Sequence, residues 1–485
     1  MIDKLYSTSL CCALSIALLS SCVTAPDYSA SQSTQTIKNY SKTFKRAGAN
    51  TDPVPPVAHW WAQLNDPVLT KLIEDGLSNS PDVKIAIARI SRSRAVAAEQ
   101  NANRKPTVAA SAIAIQAPFS RSNPITGGGN AGNAPSPDDD YYNIGINTSW
   151  EIDLFGGARA SAQAAIADTQ AVQAELSDVQ VSLSSQIAAT YIEFRHWQNQ
   201  ERILQDIVSL SAEKLRLENA RVRFGTASEL SLAAMKAEIS RERSELAVIS
   251  GEQLATADRL ALLTGATPGS LDDKLITVLP VPLPPREVSV GDPASLLQRR
   301  PDIRAAKKRL ASANARIGVA NAQRFPSVSF FGLLGLGGSN PADIVDSGNL
   351  STLLLPRINW SFLDFGRVNA RIDQAEAGAS EAAANFDKIV FTALSETEQS
   401  LAQFGAQRSR VLETANILQA DKNAENLTQA RFRRGTASRI TEIDAALKKF
   451  RSEKALLSAT ADMTKGYIII QKNLGLGWSE SKQVE

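Results

Sequence analysis

The sequence predicts a mainly α-helical, internally duplicated chain that also carries membrane β-strands, too few to close a barrel unless several copies share one. Three observations point there: a residue pattern written twice, very long stretches free of proline and glycine, and short alternating segments downstream of an export signal.

The duplication is read from landmarks. Pro81-Asp82 with Arg104-Lys105-Pro106 returns as Pro301-Asp302 with Arg324-Phe325-Pro326, an offset of 220 that Ala86/Ala306, Arg89/Arg309, Ala95/Ala315 and Asn101/Asn321 keep. Trp150 with Phe155-Gly156 returns as Trp360 with Phe365-Gly366, and Gly225-Thr226-Ala227-Ser228 as Gly435-Thr436-Ala437-Ser438, both at offset 210. The ten residues of difference fall between Pro106 and Trp150, where Gly127 to Asp140 forms a longer loop in the first copy. Every structural feature is therefore expected twice per chain. The copies span 67–265 and 292–475, with a proline-rich joint at 266–291, residues 22–66 ahead of them and a tail at 476–485.

Each copy opens with a helix at its Pro-Asp pair and continues, past two strands, into one long helix. No glycine or proline interrupts 158–224, and apolar residues recur at steps of three and four through Leu176, Val179, Leu183, Ile187, Tyr191 and Phe194. A helix of that length spans roughly 100 Å, more than a compact domain can contain. Gly225 or Gly435 ends it, and a second helix returns to about Gly265 or Gly475. Thr226 with Glu229 has capping-box spacing, and Ser438 or Thr436 can cap the second return helix. The result in each copy is a helical hairpin with Gly-Thr-Ala-Ser at its tip.

The strand segments are Thr107–Ala117 and Tyr142–Trp150, within a hairpin at 106–155, then Ser327–Leu336 and Leu353–Phe365, within one at 326–365. Their lengths suit tilted membrane strands of about 9–11 residues. Tyr141, Tyr142, Trp150 and Trp360 lie near the strand ends, where an interfacial aromatic girdle would form.

Residues 1–21 have the order of a signal peptide: Lys4, an apolar stretch from Leu10 to Leu19, then Leu19-Ser20-Ser21-Cys22, which resembles a lipobox. In that resemblance Cys22 becomes the lipidated N-terminus, and Val23 in place of aspartate fits delivery to the outer membrane. No later stretch supplies 18 consecutive apolar residues, so a membrane crossing must be made by a closed barrel.

Composition narrows the function. A net charge of +2 without a segregated basic block gives no reason to expect nucleic acid. Cys11, Cys12 and Cys22 are the only cysteines and His59 and His196 the only histidines, which leaves no disulfide framework and no metal site. Each histidine reads as a surface or interface side chain, and no cofactor is expected beyond the covalent lipid on Cys22. No Ser/His/Asp set stands out, Gly127-Gly128-Gly129 lacks the lysine of a phosphate loop, and Gly335-Leu336-Gly337-Gly338 falls at a strand end. The chain does not read as an enzyme.

Four strands cannot close without leaving edges in lipid. Two copies would give eight strands and an interior filled by side chains, whereas three give twelve and room for a channel. A homotrimer is thus the smallest conducting assembly. The order of helix, hairpin, long helix, glycine tip and return helix is written twice, after a lipobox and His59-Trp60-Trp61-Ala62-Gln63-Leu64-Asn65-Asp66-Pro67-Val68-Leu69. It resembles the TolC-like outer membrane factors of tripartite efflux systems, from Cys22 to about Gly477. The resemblance implies a twelve-stranded barrel in outer-membrane lipid and a twelve-helix tunnel across the periplasm. It also implies an equatorial belt built from residues 23–66, 267–291 and the C-terminus. The function implied is a passive exit duct for small molecules such as drugs, with a periplasmic adaptor and an inner-membrane RND-type pump as partners.

In that family the adaptor meets the tips, here Gly225, Thr226, Ala227 and Ser228 with Gly435, Thr436, Ala437 and Ser438. Arg221, Arg223, Arg431, Arg433 and Arg434 stand beside them, where positive charge also suits the helix dipole. Ile440 and Asp444 follow the second tip one turn apart, where the first copy has Leu230 and Ala234. These positions resemble the apolar constriction and acidic ring of a periplasmic gate. Two alternatives stay open on the sequence: a duct for type I protein secretion, and a structural coiled-coil surface lipoprotein. The second accounts for the helices but not for the paired strands or the duplication.

Overall fold

The computed structural model describes residues 40–48, 51–115 and 140–478; the signal peptide, Cys22, the Gly127–Gly129 loop and the final seven residues lie outside the described residues. The described residues fall into two compact units, the first lying within Ser91–Gln170 and Lys308–Ala384 and the second within Ala30–Ile90, Ala171–Lys307 and Asn385–Glu485.

Seven long helices follow the expected order: α1 Pro67–Asn79, α2 Pro81–Ala102, α3 Gly157–Arg223, α4 Glu229–Leu263, α5 Pro301–Ala322, α6 Arg367–Arg433 and α7 Arg439–Asn473. The duplication is visible in their lengths: α2 and α5 have 22 residues, α3 and α6 have 67, α4 and α7 have 35. Pro67, Pro81 and Pro301 occupy first helical positions, where a missing N–H costs nothing and the fixed φ already suits a helix. Among the described residues no helix is long and apolar enough to cross a membrane.

Six strands are described: β1 Thr51–Asp52, β2 Thr107–Ile115, β3 Tyr141–Ile152, β4 Val288–Ser289, β5 Ser327–Gly338 and β6 Leu350–Asn359. In the first unit β2, β3, β5 and β6 form an antiparallel sheet in that order, so β2 and β6 are its outer strands. The register pairs Val108 with Thr148, Ile144 with Leu336, Ile146 with Leu334 and Leu334 with Thr352. Paired numbers always share parity, and residues two apart share a face, so even-numbered residues line one face of all four strands. That face is almost wholly apolar: Val108, Ile144, Ile146, Trp150, Phe330, Leu334, Leu354 and Ile358 are on it. The odd face carries the strands' amides and charges, Asn143, Asn147, Glu151, Arg357 and Asn359. Apolar-out and polar-in alternation is what a water-filled barrel in lipid needs.

β6 departs from expectation. It starts three residues early, at Leu350, and stops at Asn359 instead of reaching Phe365. The cause is the lack of a partner: Asn359 pairs with Ser327, the first residue of β5, and beyond it no strand lies opposite. β3 is continuous to Ile152 because β5 pairs it as far as Val328.

The second unit is built on apolar burial against the middle of α3. Trp60, Leu69, Ile73, Ile187, Tyr191 and Tyr467 belong to one core, and Ile203, Leu204, Ile207, Ile249, Ile443 and Leu447 form a further cluster shared by α3, α4 and α7. β1 pairs in parallel with β4, Thr51 opposite Val288.

Candidate functional site

The two hairpin tips are the same structure built twice. Gly225 and Gly435 have φ of 71° and 76°, a left-handed conformation in which a Cβ is strained. No atom lies within 4 Å of where that Cβ would be, so the demand for glycine is conformational and not a matter of space. The N–H of Thr226 donates to Arg221 O at 2.8 Å and that of Gly225 to Val222 O at 2.9 Å; Thr436 to Arg431 at 2.9 Å and Gly435 to Phe432 at 2.8 Å repeat this. These bonds satisfy the carbonyls left open at the ends of α3 and α6.

The capping box expected of Thr226 and Glu229 does not form. Thr226 closes the preceding helix, its hydroxyl donating to Arg221 O at 3.0 Å, while Ser228 caps α4 by accepting from Ser231 N at 3.1 Å. Thr436 and Ser438 divide the work in the same way, Ser438 accepting from Thr441 N at 3.1 Å. The two extra residues let the chain turn before the new helix starts. Ala227 and Ala437 are half-exposed between them.

The charged groups around the tips differ between copies. In the first, Arg221 pairs with Glu218 at 3.0 Å. In the second, Arg439 lies in a fork on Glu213 of α3, both bonds 2.9 Å, and also reaches Glu442 at 2.7 Å. Ile440 is half-buried and Asp444 is exposed on α7. The Asp444 carboxylate takes a 2.6 Å ion pair from Lys214 of α3. The counterparts of Lys214 and Asp444 in the other copy are Ala424 and Ala234, so this pair exists once per chain. Lys214 and Arg439 were not singled out from the sequence. They belong to opposite repeats from their partners, and no local spacing links them.

Segments expected in an equatorial belt meet on α3 in the second unit. Trp60 is fully buried, edge-on to Trp61 at 5.8 Å and to Tyr467 at 6.0 Å. Asp66 caps α1 by accepting from Val68 N and Leu69 N at 2.9 and 3.0 Å, and its other oxygen accepts from Tyr191 Oη at 2.7 Å. Arg195, only 1% exposed, donates to Tyr191 Oη, Gln198 Oε1 and Thr277 O at 2.9, 2.7 and 2.7 Å. Burial, with the hydrogen bond to Asp66 next, pushes the Tyr191 phenol well above its ordinary pKa. The Trp-Trp…Asp-Pro signature thus works through one carboxylate that caps a helix and anchors it to the long helix behind.

The aromatic side chains singled out near the membrane strands separate. Tyr142 and Trp150 lie on the apolar face of the sheet, at opposite ends of β3, whereas Tyr141 lies on the other face. Trp360 directly follows β6. Trp150 Nε1 donates to Arg104 O and Trp360 Nε1 to Arg324 O, both at 3.1 Å, another contact made once per repeat. His196, read as a surface or interface side chain, is half-buried on α3 with Nδ1 enclosed and unbonded.

An antiparallel sheet of membrane-strand length with opposed apolar and polar faces, and a duplicated set of very long helical hairpins, define an outer-membrane duct. The family model for outer membrane efflux proteins matches residues 72–266 and 293–476. This chain belongs to the outer membrane efflux protein family and has its TolC-like fold; it is an outer-membrane efflux channel. It is 28% identical over 424 residues to the solvent efflux pump outer membrane protein SrpC of Pseudomonas putida, covering 86% of this chain and 87% of that one. It is 27% identical over 447 residues to the pyoverdine export outer membrane protein OpmQ of Pseudomonas aeruginosa, covering 91% and 92%. Among solved structures, the outer-membrane channel OprN superposes with a TM-score of 0.80 at 29% identity, covering 94% of this chain and 98% of OprN. The open state of the Neisseria gonorrhoeae channel MtrE superposes at 0.79, with 24% identity and coverage of 96% and 100%. The family is one of passive channels, not of enzymes.

Proposed function

We propose that three copies of this chain form the exit duct of a tripartite efflux pump, lipid-anchored through Cys22 in a Gram-negative outer membrane and carrying no catalytic activity of its own. The observation that carries this reading is the four-stranded sheet of the first unit. Its even face is almost wholly apolar, its odd face holds the amides and charges, and among the described residues both outer strands have an unpaired edge. Such a sheet is stable in lipid only when its edges are joined to others. Twelve strands, three chains' worth, enclose a lumen where eight are filled by side chains.

The Gly225 and Gly435 tips form the periplasmic end and dock the adaptor of an inner-membrane RND-type pump, and Tyr142, Trp150 and Trp360 sit at the lipid interface. Ile440 and Asp444, with Lys214, form the gate. Relatives at similar identity are named for solvents and for pyoverdine, chemically remote cargoes. That spread fits a conduit which leaves selection to the pump, here for small molecules such as drugs. The test is site-directed crosslinking in cells. Ala227→Cys or Ala437→Cys should capture the adaptor, while cysteines at 127–139 should react with reagents outside the cell; the reverse pattern would invert the topology and defeat the proposal.

A further inference from the structure

We propose that Arg104 and Arg324 each bind the phosphate of an anionic phospholipid headgroup in the periplasmic leaflet, each arginine being set in place by the tryptophan beside it. The inference rests on the outer-membrane placement proposed above and adds a ligand to it. Trp150 and Trp360 stand where β3 and β6 lead into α3 and α6. Each indole N–H donates to one carbonyl, Arg104 O or Arg324 O, at 3.1 Å. Trp150 lies on the apolar face of the sheet, so this bond fixes the arginine backbone at the level where that face stops. The pairs recur at the offsets of the duplication, Arg104 and Arg324 at 220, Trp150 and Trp360 at 210. A site of this kind is therefore built twice per chain.

Two observations give the site its chemistry, and the first is charge without a counterion. Arg104 Nη1 donates to Asn101 Oδ1 at 3.2 Å and Arg324 Nη2 to Asn369 Oδ1 at 3.3 Å, so each guanidinium is held by a neutral amide. Among the described residues neither meets a carboxylate, and exposed Lys105 adds a further cation in the first copy. The acids nearest in sequence to the two tryptophans are committed elsewhere. Asp153 accepts from Ala158 N and Arg159 N at 3.1 and 2.7 Å at the start of α3, and Asp364 from Gly366 N and Val368 N at 3.0 and 2.8 Å at the start of α6. A guanidinium left in this way is planar, weakly hydrated and matched to phosphate oxygens by paired N–H groups.

The second is the apolar surface alongside. Trp150, Leu154, Trp360 and Phe362 are all exposed, and the rings of Trp360 and Phe362 lie 6.0 Å apart. An acyl chain can lie against these side chains while its headgroup reaches the arginine, with the indole at the boundary between hydrocarbon and water and the arginine stem extending from it. A net negative headgroup is the one selected. In a zwitterionic headgroup the phosphate charge is already offset by its own ammonium, whereas phosphatidylglycerol leaves that charge to the guanidinium. One basic side chain at an anionic lipid surface corresponds to roughly a fivefold preference.

The test reads tryptophan fluorescence of the full-length protein in phosphatidylcholine vesicles, as lipid brominated near the headgroup replaces a growing share of the bilayer. Bromine quenches only rings that it touches. Trp150 and Trp360 are on the unit with the membrane strands, and Trp60, Trp61, Trp197 and Trp478 are on the other. Brominated phosphatidylglycerol should reach half its final quenching at a roughly fivefold lower share than brominated phosphatidylcholine. Arg104→Gln with Arg324→Gln should bring the two lipids level. Arg104→Lys with Arg324→Lys should keep a preference, because the charge stays; losing it as fully as the glutamine pair would show a structural role and overturn the proposal. Removing two charges from the second unit, Arg202→Gln with Arg410→Gln, should change nothing, and an equal fall there would reduce the effect to overall charge. Equal quenching of the wild type by both lipids would overturn the site and leave the membrane placement standing. Quenching by neither would overturn both.

Discussion

His196 should make this channel less stable in acid by an amount that can be worked out beforehand. The imidazole sits on α3 with its ring 5.0 Å from that of Trp197. Burial, reinforced by Lys465 and Lys454 and opposed by Asp462 and Gln200, lowers its pKa from 6.5 to about 4. A pKa depressed in the folded state means that the unfolded chain binds the proton more readily. The folded state therefore has its full advantage above pH 6.5 and loses it as pH falls toward 4. For one site the loss between about pH 7.5 and 5.5 is roughly 1 kcal/mol, growing to about 3 kcal/mol at pH 4. His196→Gln removes the titration and keeps a side chain of similar reach. Thermal unfolding of wild type and variant, followed by helix ellipticity in detergent at the two pH values, isolates the term as a difference of differences. The wild type should lose more midpoint temperature than the variant on acidification. Equal losses would show that His196 is freely protonated in the fold and would refute the reasoning.

Three further outcomes follow from the site. Asp66→Ala removes a helix cap, typically about 1 kcal/mol, and strips the Tyr191 hydroxyl of its acceptor, roughly 1–3 kcal/mol more; amide exchange across residues 60–79 should accelerate, and unchanged protection would deny Asp66 its anchoring role. Asp444→Asn should reduce cation selectivity, Lys214→Ala should increase it by exposing an unpaired carboxylate, and Ile440→Ala should widen the resting pore; bilayer recordings with unchanged selectivity and conductance would remove these residues from the gate. Cys22→Ser should abolish lipidation yet leave the barrel in the membrane, and an intact mass showing unmodified Cys22 in the mature wild type would end the anchor.

Features dictated by chain-local physics are legible in the sequence. The long helices follow from uninterrupted 158–224, the tips from two glycines, and the strand pairs from alternation; each was repeated in the second copy, which doubled the signal. Features that distant neighbours decide are not. Thr226 and Ser228 offer similar capping hydroxyls, and only the path of the turn selects Ser228. Leu353–Phe365 alternates throughout, but a strand extends only as far as its partner, and Ser327 ends that partnership at Asn359. The Lys214–Asp444 and Arg439–Glu213 pairs link residues more than 220 positions apart, and a linear reading has no periodicity that could connect them. The sequence leaves His196 as a surface or interface side chain, because a single histidine beside Arg195 and Trp197 carries no burial signal of its own. What buries it is the packing around α3.

The central claim, that this chain encloses a water-filled path across the outer membrane, is tested most directly by single-channel recording. Full-length protein purified from membranes and added to a planar lipid bilayer should produce discrete, uniform conductance steps, with the insertion-competent species eluting at three chains' mass. A well-folded trimer that inserts into the bilayer yet passes no current, in the wild type and in Ile440→Ala alike, would contradict the account.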